Sequence, residues 1–205
     1  MDILGTIFGS EARVKIMRLF LFNPESIFDI GDVSDKSKVN KNLARKELSL
    51  LEKSKLIKKK NFSKIVTKKK GKKFKDIRVK STGYYLNQDF SYITPLKQLL
   101  IKTKTLEPGE IIKRLSRAGK LKLVIVAGVF IQSKDSRVDM FVVGNNLNKS
   151  VLNNAIKSIE AELGKELNYV YFETPDFQYR LSMYDKLIRD ILDYPNQVLL
   201  DKLSI

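Results

Sequence analysis

The chain has 205 residues, 43% of them hydrophobic, enough for one large or two small packed domains. Its 39 basic residues outnumber 23 acidic ones, and the formal net charge of +16 favours a polyanionic partner. Histidine and cysteine are both absent, which excludes imidazole acid–base catalysis, thiol nucleophiles, disulfides and zinc sites of the Cys/His kind.

The first residues carry no basic n-region followed by a long apolar stretch, so no secretory signal is expected. The longest apolar run, residues 123–131, is too short to span a bilayer. A cytoplasmic protein without a membrane partner is expected. Ser10 is placed to cap a helix in which Ala12, Ile16, Met17 and Phe20 recur at helical spacing. Asn23-Pro24 ends it, because proline disfavours helix at the residue before it. The pattern then predicts a short second helix over 28–36, with Ile30 and Val33 buried. A third is predicted over 40–54, with Ala44, Leu48 and Leu51 as its core stripe. Lys41, Asn42, Arg45, Lys46 and Ser49 fall on the opposite side of that third helix.

Residues 55–80 hold twelve lysines and Arg78 against one acid, Asp76, a local net charge of +12. The flanking segments are nearly neutral: nine bases and eight acids in 1–54, seventeen and thirteen in 96–205. Phe62, Ile65, Val66, Phe74, Ile77 and Val79 thread through the basic run. A solvated loop kept for solubility would not need them, whereas a folded basic arm would. A strand is predicted from Leu56-Ile57, a turn at Lys70-Gly71 and a return strand over 74–86.

Three helices followed by a lysine-rich hairpin is the element order of a winged helix-turn-helix. In that arrangement the third helix can enter a major groove while the hairpin reaches adjacent backbone. The candidate DNA-contacting residues are Lys41, Asn42, Arg45 and Lys46 on the helix. The arm adds Lys58, Lys60, Lys68, Lys69, Lys70, Lys72, Lys73 and Lys75. Residues 8–87, through Phe8-Gly9-Ser10-Glu11-Ala12-Arg13-Val14-Lys15-Ile16 and Leu43-Ala44-Arg45-Lys46-Glu47-Leu48, resemble the winged-helix domains of ArsR-like transcription regulators. The cysteine ligands of the metal-sensing members are absent, so the resemblance implies no metal sensing.

Beyond Asn87 a connector leads to a short bridging helix over 96–101. Pro108 then opens a helix bearing Ile111, Ile112, Leu115 and Ala118. Strands are predicted over 121–131, 138–143 and 167–172, and a last short one over 198–200. An amphipathic helix over 150–163, with Leu152, Ala155, Ile156, Ile159 and Leu163 on one face, closes at Gly164. One last helical region carries Phe177, Leu181, Tyr184, Ile188 and Ile191 and stops at Pro195.

This order resembles the minimal nucleotidyltransferase fold, whose working members use a Gly-Ser after the first strand and an Asp-x-Asp on the second to hold Mg²⁺. Here those places read Gly128-Val129 and Arg137-Val138-Asp139, and the third strand offers Asn168 and Tyr169 before Glu173. A cation ~5 Å from a divalent ion costs on the order of several kcal/mol at an effective dielectric of about 20. Asp135 sits in the turn before the strand and cannot join Asp139 as a pleated pair.

The chain as a whole resembles regulators in which a winged helix is joined to a degenerate nucleotidyltransferase-like domain. Ser136-Arg137-Val138-Asp139-Met140-Phe141-Val142-Val143-Gly144 and Met183-Tyr184-Asp185-Lys186 carry that likeness. The expectation is an α+β protein with a DNA-binding domain over 1–89, a connector and bridging helix over 90–104, and a catalytically inactive domain over 105–205. That second domain would serve dimerisation, partner binding or nucleotide sensing, with Gly128, Arg137 and Asp139 as a remnant nucleotide site. No catalytic residue, metal or cofactor is assigned. An RNA- or ribosome-binding accessory protein is the alternative, since a lysine-rich hairpin attracts any phosphate backbone. A residual nucleotidyltransferase is a lesser one.

Overall fold

A computed structural model describes residues 3–70, 73–101, 106–133 and 136–205, excepting the side chains of 68–70 and 73–75. The architecture is mixed α+β. It divides into two compact units, Met1–Ile101 with Leu163–Lys165 and Lys102–Glu162 with Glu166–Ile205.

The first unit begins with a short helix, α1 (Ile3–Ile7), then α2 (Glu11–Phe22), where Ser10 Oγ accepts from Arg13 N as the cap. The second predicted helix is α3 (Ile30–Ser37), which starts two residues later than the pattern suggested. Phe28 instead exchanges backbone hydrogen bonds with Tyr84, and Asp29 becomes the N-cap in a reciprocal capping box with Asp32. A tight turn through Lys38 (φ 55) leads to α4 (Lys41–Lys53), capped by Asn40.

The arm is two 14-residue strands, β1 (Ile57–Lys70) and β2 (Lys73–Leu86), about 45 Å long at strand rise. They pair antiparallel from Ile57↔Leu86 out to Lys70↔Lys73, so pairing runs to within two residues of closure. Gly71, half of the turn expected at Lys70-Gly71, lies outside the described residues, as does Lys72. At the base, a Cβ on Gly83 would sit 2.6 Å from Ile27 Cγ2 and from Phe62 Cε1, so a glycine lets the strand press close.

Next comes α5 (Ile93–Leu100), three residues earlier than expected. Pro95 lies in its first turn, where a missing N–H costs nothing. This helix falls within the first unit, although the sequence suggested a separate connector over 90–104. The core collects Val14, Ile16, Phe20, Val33, Ala44, Leu48, Ile57 and Leu86, with Phe20 and Phe28 edge to face at 5.7 Å.

In the second unit α6 (Pro108–Leu115) leads to β3 (Lys120–Val126) and β4 (Met140–Asn145). Then α7 (Lys149–Leu163) crosses to β5 (Tyr169–Glu173), followed by α8 (Thr174–Ser182), α9 (Lys186–Asp193) and β6 (Gln197–Asp201). The sheet order is β5-β4-β3-β6; only the α7-linked pair β4 and β5 is parallel. Leu123, Ile125, Phe141 and Val143 build one core with Phe177, Ile188 and Ile191, while Val124 and Val142 are buried as well.

Three expectations change here. The strand predicted over 121–131 stops at Val126, because Gly128 (φ 52) turns the chain into one 3₁₀ turn, Gly128–Phe130. The strand predicted from 138 begins at Met140, since Asp139 is occupied by the contacts described below. The single final helix is two, broken at Tyr184 (φ 54) and restarted by Asp185, whose Oδ1 accepts from Leu187 N and Ile188 N. Tyr184 is therefore 76% exposed and off the core stripe.

Candidate nucleic-acid interface

Helix α4 is amphipathic in the way its sequence foretold. Ala44, Leu48 and Leu51 are buried; Lys41, Asn42, Arg45, Lys46 and Ser49 are exposed. Arg45 Nη1 donates to Asn42 Oδ1 at 3.1 Å, so these two candidate groups already hold each other's geometry. The unexpected member is Glu47, an acid on the buried side at 3% exposure. Arg13 Nε of α2 donates to its Oε2 at 2.8 Å, and Arg13 Nη1 donates to the Phe8 carbonyl at 2.7 Å. A buried, paired carboxylate fixes the seating of α4 on α2.

On the arm, Lys58 and Lys60 are exposed, and Lys58 reaches Asp89 at 3.3 Å across an open surface. Backbone pairing sets Lys68 opposite Lys75 and Lys70 opposite Lys73; Lys69 partners Phe74. Lys72 lies outside the described residues. The candidates are thus divided between one exposed helix face and one β-ribbon, and β1 packs beside α4. Arg78 and Lys80, counted in the basic run but not among the candidate contacts, are exposed on β2. Period-two alternation in the return strand was the signal for them.

Two arm lysines have internal partners. Lys59 Nζ lies 2.7 Å from Glu52 of α4 and 5.6 Å from the Tyr84 ring centroid. The Glu52 hydrogen bond raises its pKa above the usual lysine value. Lys64 Nζ lies 2.5 Å from Asp29 Oδ2 and 3.0 Å from Asp32 Oδ1, and these partners, Asp29 first, raise its pKa too. Burial by itself would raise the Asp29 carboxyl. The bonds from Lys64, the Asp32 amide and the Ser81 hydroxyl outweigh it and bring Asp29 from 3.8 down to about 2.

No family model matches this chain, no curated protein matches it, and no solved structure matches it. The chemistry of the surface is carried by its own residues.

In the second unit the structure brings Gly128 and Asp139 together but turns Arg137 elsewhere. Asp139, 7% exposed, accepts from Val129 N through Oδ1 and from Asn168 N through Oδ2, both at 2.9 Å. A Cβ on Gly128 would fall 2.1 Å from that same Oδ1. Arg137 pairs with Asp190 at 3.0 Å. Glu173, the acid at the end of β5, accepts from Asn146 N and Leu147 N. Both carboxylates are engaged by backbone amides that order the loops around β4. Among the described residues no group of three or more acids is placed to hold a metal ion, and no helix is long and apolar enough to cross a membrane.

Proposed function

We propose that this protein is a DNA-binding transcriptional regulator whose first unit works as a winged helix-turn-helix. Helix α4 lies in the major groove, with Arg45 and Asn42 toward base edges and Lys41 and Lys46 toward phosphates. The basic arm follows the neighbouring backbone as the wing. The observation that carries this reading is the exposed Lys41–Asn42–Arg45–Lys46 face beside a ribbon whose segment holds a net +12. A 13-residue helix is about 20 Å long and fits a groove of B-form DNA, whereas the major groove of duplex RNA is too narrow for side chains to read.

For the second unit, the order β5-β4-β3-β6 with α7 between the parallel pair supports a nucleotidyltransferase-like ancestry. The engagement of Asp139 and Glu173 by backbone amides supports a role without catalysis, in dimerisation, partner binding or sensing. Crosslinking in cells followed by sequencing of bound nucleic acid tests the assignment. Enrichment of discrete duplex DNA sites is the expected result. Enrichment of RNA alone would replace it with the second reading, an RNA- or ribosome-binding accessory protein, which the arm by itself also supports.

A further inference from the structure

The lysines of the arm do not all do the same work, and Asp29 separates them. Its two oxygens have different tasks. Oδ1 accepts from Asp32 N at 3.0 Å and caps α3. Oδ2 faces both strands of the arm, taking Lys64 Nζ of β1 at 2.5 Å and Ser81 Oγ of β2 at 3.1 Å. Lys64 sits seven residues from the base strand position Ile57, well along the ribbon, and also reaches Asp32 Oδ1. From Asp29 the linkage to α4 is stiff. Helix α3 ends three residues before α4 begins. That turn is pinned by Ser34, whose Oγ donates to the Val39 carbonyl while its own carbonyl accepts from Val39 N, and Val39 is buried.

We infer that Asp29 and Lys64 are positioning residues that hold the arm at a set angle to the α4 face, so that helix and arm engage one duplex together. This rests on the DNA-binding reading. Physically, an arm held in register adds its contacts as an intramolecular event, whereas a swinging arm dilutes its effective concentration. Lys64 is then spent on protein carboxylates and contributes no phosphate contact of its own.

The separation of tasks on Asp29 supplies a test with an opposed sign. In Asp29→Asn the amide oxygen can still cap α3, because asparagine is as good an N-cap as aspartate. What is lost is Oδ2, both the charge that attracts Lys64 and the acceptor to which Ser81 Oγ donates. Removing an acid from a protein that binds a polyanion should by charge alone tighten binding. The lock requires the opposite: about tenfold weaker binding to a specific duplex by Asp29→Asn. Lys64→Met should show a similar loss with its salt slope unchanged, and the double variant should lose no more than either single one.

Because the chain has no cysteine, spin labels can be placed cleanly at Ser49→Cys on α4 and Thr67→Cys on the arm. The free protein should give a narrow distance distribution that broadens at least about twofold in Asp29→Asn and in Lys64→Met, with both variants melting as one folded species. An unchanged distribution overturns the lock. So does Asp29→Asn binding as tightly as the parent or tighter, or a fall of about 0.9 in salt slope for Lys64→Met. A parent chain that binds no duplex would refute the DNA reading instead, and the label distances would still decide the lock.

Discussion

Glu47 lies beneath the candidate interface, on the buried side of α4. It stands among exposed polar positions of α4, yet it is buried and held by Arg13. Arg13→Ala would strand that carboxylate, and we expect a loss of about 2–4 kcal/mol, less than for a fully buried pair because Arg13 is 28% exposed. Denaturant unfolding measures it; a change below about 1 kcal/mol would show that the pair is solvated. Asp139 is the counterpart in the second unit. Asp139→Ala leaves the Val129 and Asn168 amides without their acceptor, and Gly128→Ala forces a Cβ against the carboxylate at a left-handed φ. Each should cost about 2–4 kcal/mol, a fall in Tm of about 10 °C or more for a unit of this size. Any activity lost in Asp139→Ala must therefore be separated from lost structure before it is read as chemistry. Asp29 sets a third test at this scale. Its folded pKa of about 2 lies below its unfolded value, so its stabilisation is complete above about pH 4 and is lost as pH falls through about 2. Replacing it by asparagine should flatten stability across that window, leaving a constant deficit in the neutral range that shrinks as pH falls toward 2, read from thermal melts at successive pH values.

At the scale of elements, the proposed DNA-binding function assigns recognition to α4 and attachment to the arm. Arg45→Ala should cost about 1–3 kcal/mol on a preferred duplex and little on random sequence, if its guanidinium reads a base edge. Replacing Lys68, Lys69, Lys70, Lys72 and Lys73 together should weaken all duplexes alike, because phosphate contacts position without specifying. Titration of both variants against specific and random duplexes distinguishes the roles. Equal losses for Arg45→Ala on the two would remove it from base reading. The register sharpens the expectation for the arm. Backbone pairing sets Lys68 opposite Lys75 and Lys70 opposite Lys73, so lysine positions recur on both strands of the ribbon.

For the whole molecule, charge distribution sets the thermodynamics of association. If the arm and α4 together neutralise about five phosphates, log K should fall against log salt with a slope near −4.5, nearly three decades between about 50 and 200 mM. A slope shallower than about −2 would mean that the arm does not lie on the backbone. The lysine run is visible in the sequence as a net +12, but not every charge in it is available. Lys59, itself exposed, is paired with Glu52, and the half-buried Lys64 with Asp29 and Asp32. A slope estimated from composition alone would count them as phosphate contacts.

The sequence by itself determined the elements whose signal is local. Ser10, Asn40 and the apolar spacing of Ala44, Leu48 and Leu51 specify α2 and α4, because caps and 3.6-residue periodicity act within a few turns. It also determined that the basic run forms two strands, and that Lys41, Asn42, Arg45 and Lys46 face outward. Tertiary structure decided what depends on partners distant in the chain. It placed Glu47 against Arg13, 34 positions away, and Lys64 against Asp29. It ended β3 at Val126, since only the folded sheet brings Asp139 to Val129 N, and it broke the final helix at Tyr184 where Asp185 could cap the next. Charged side chains carry no mark in sequence of whether they meet water or one another, because that choice is made by the energy of burying them together.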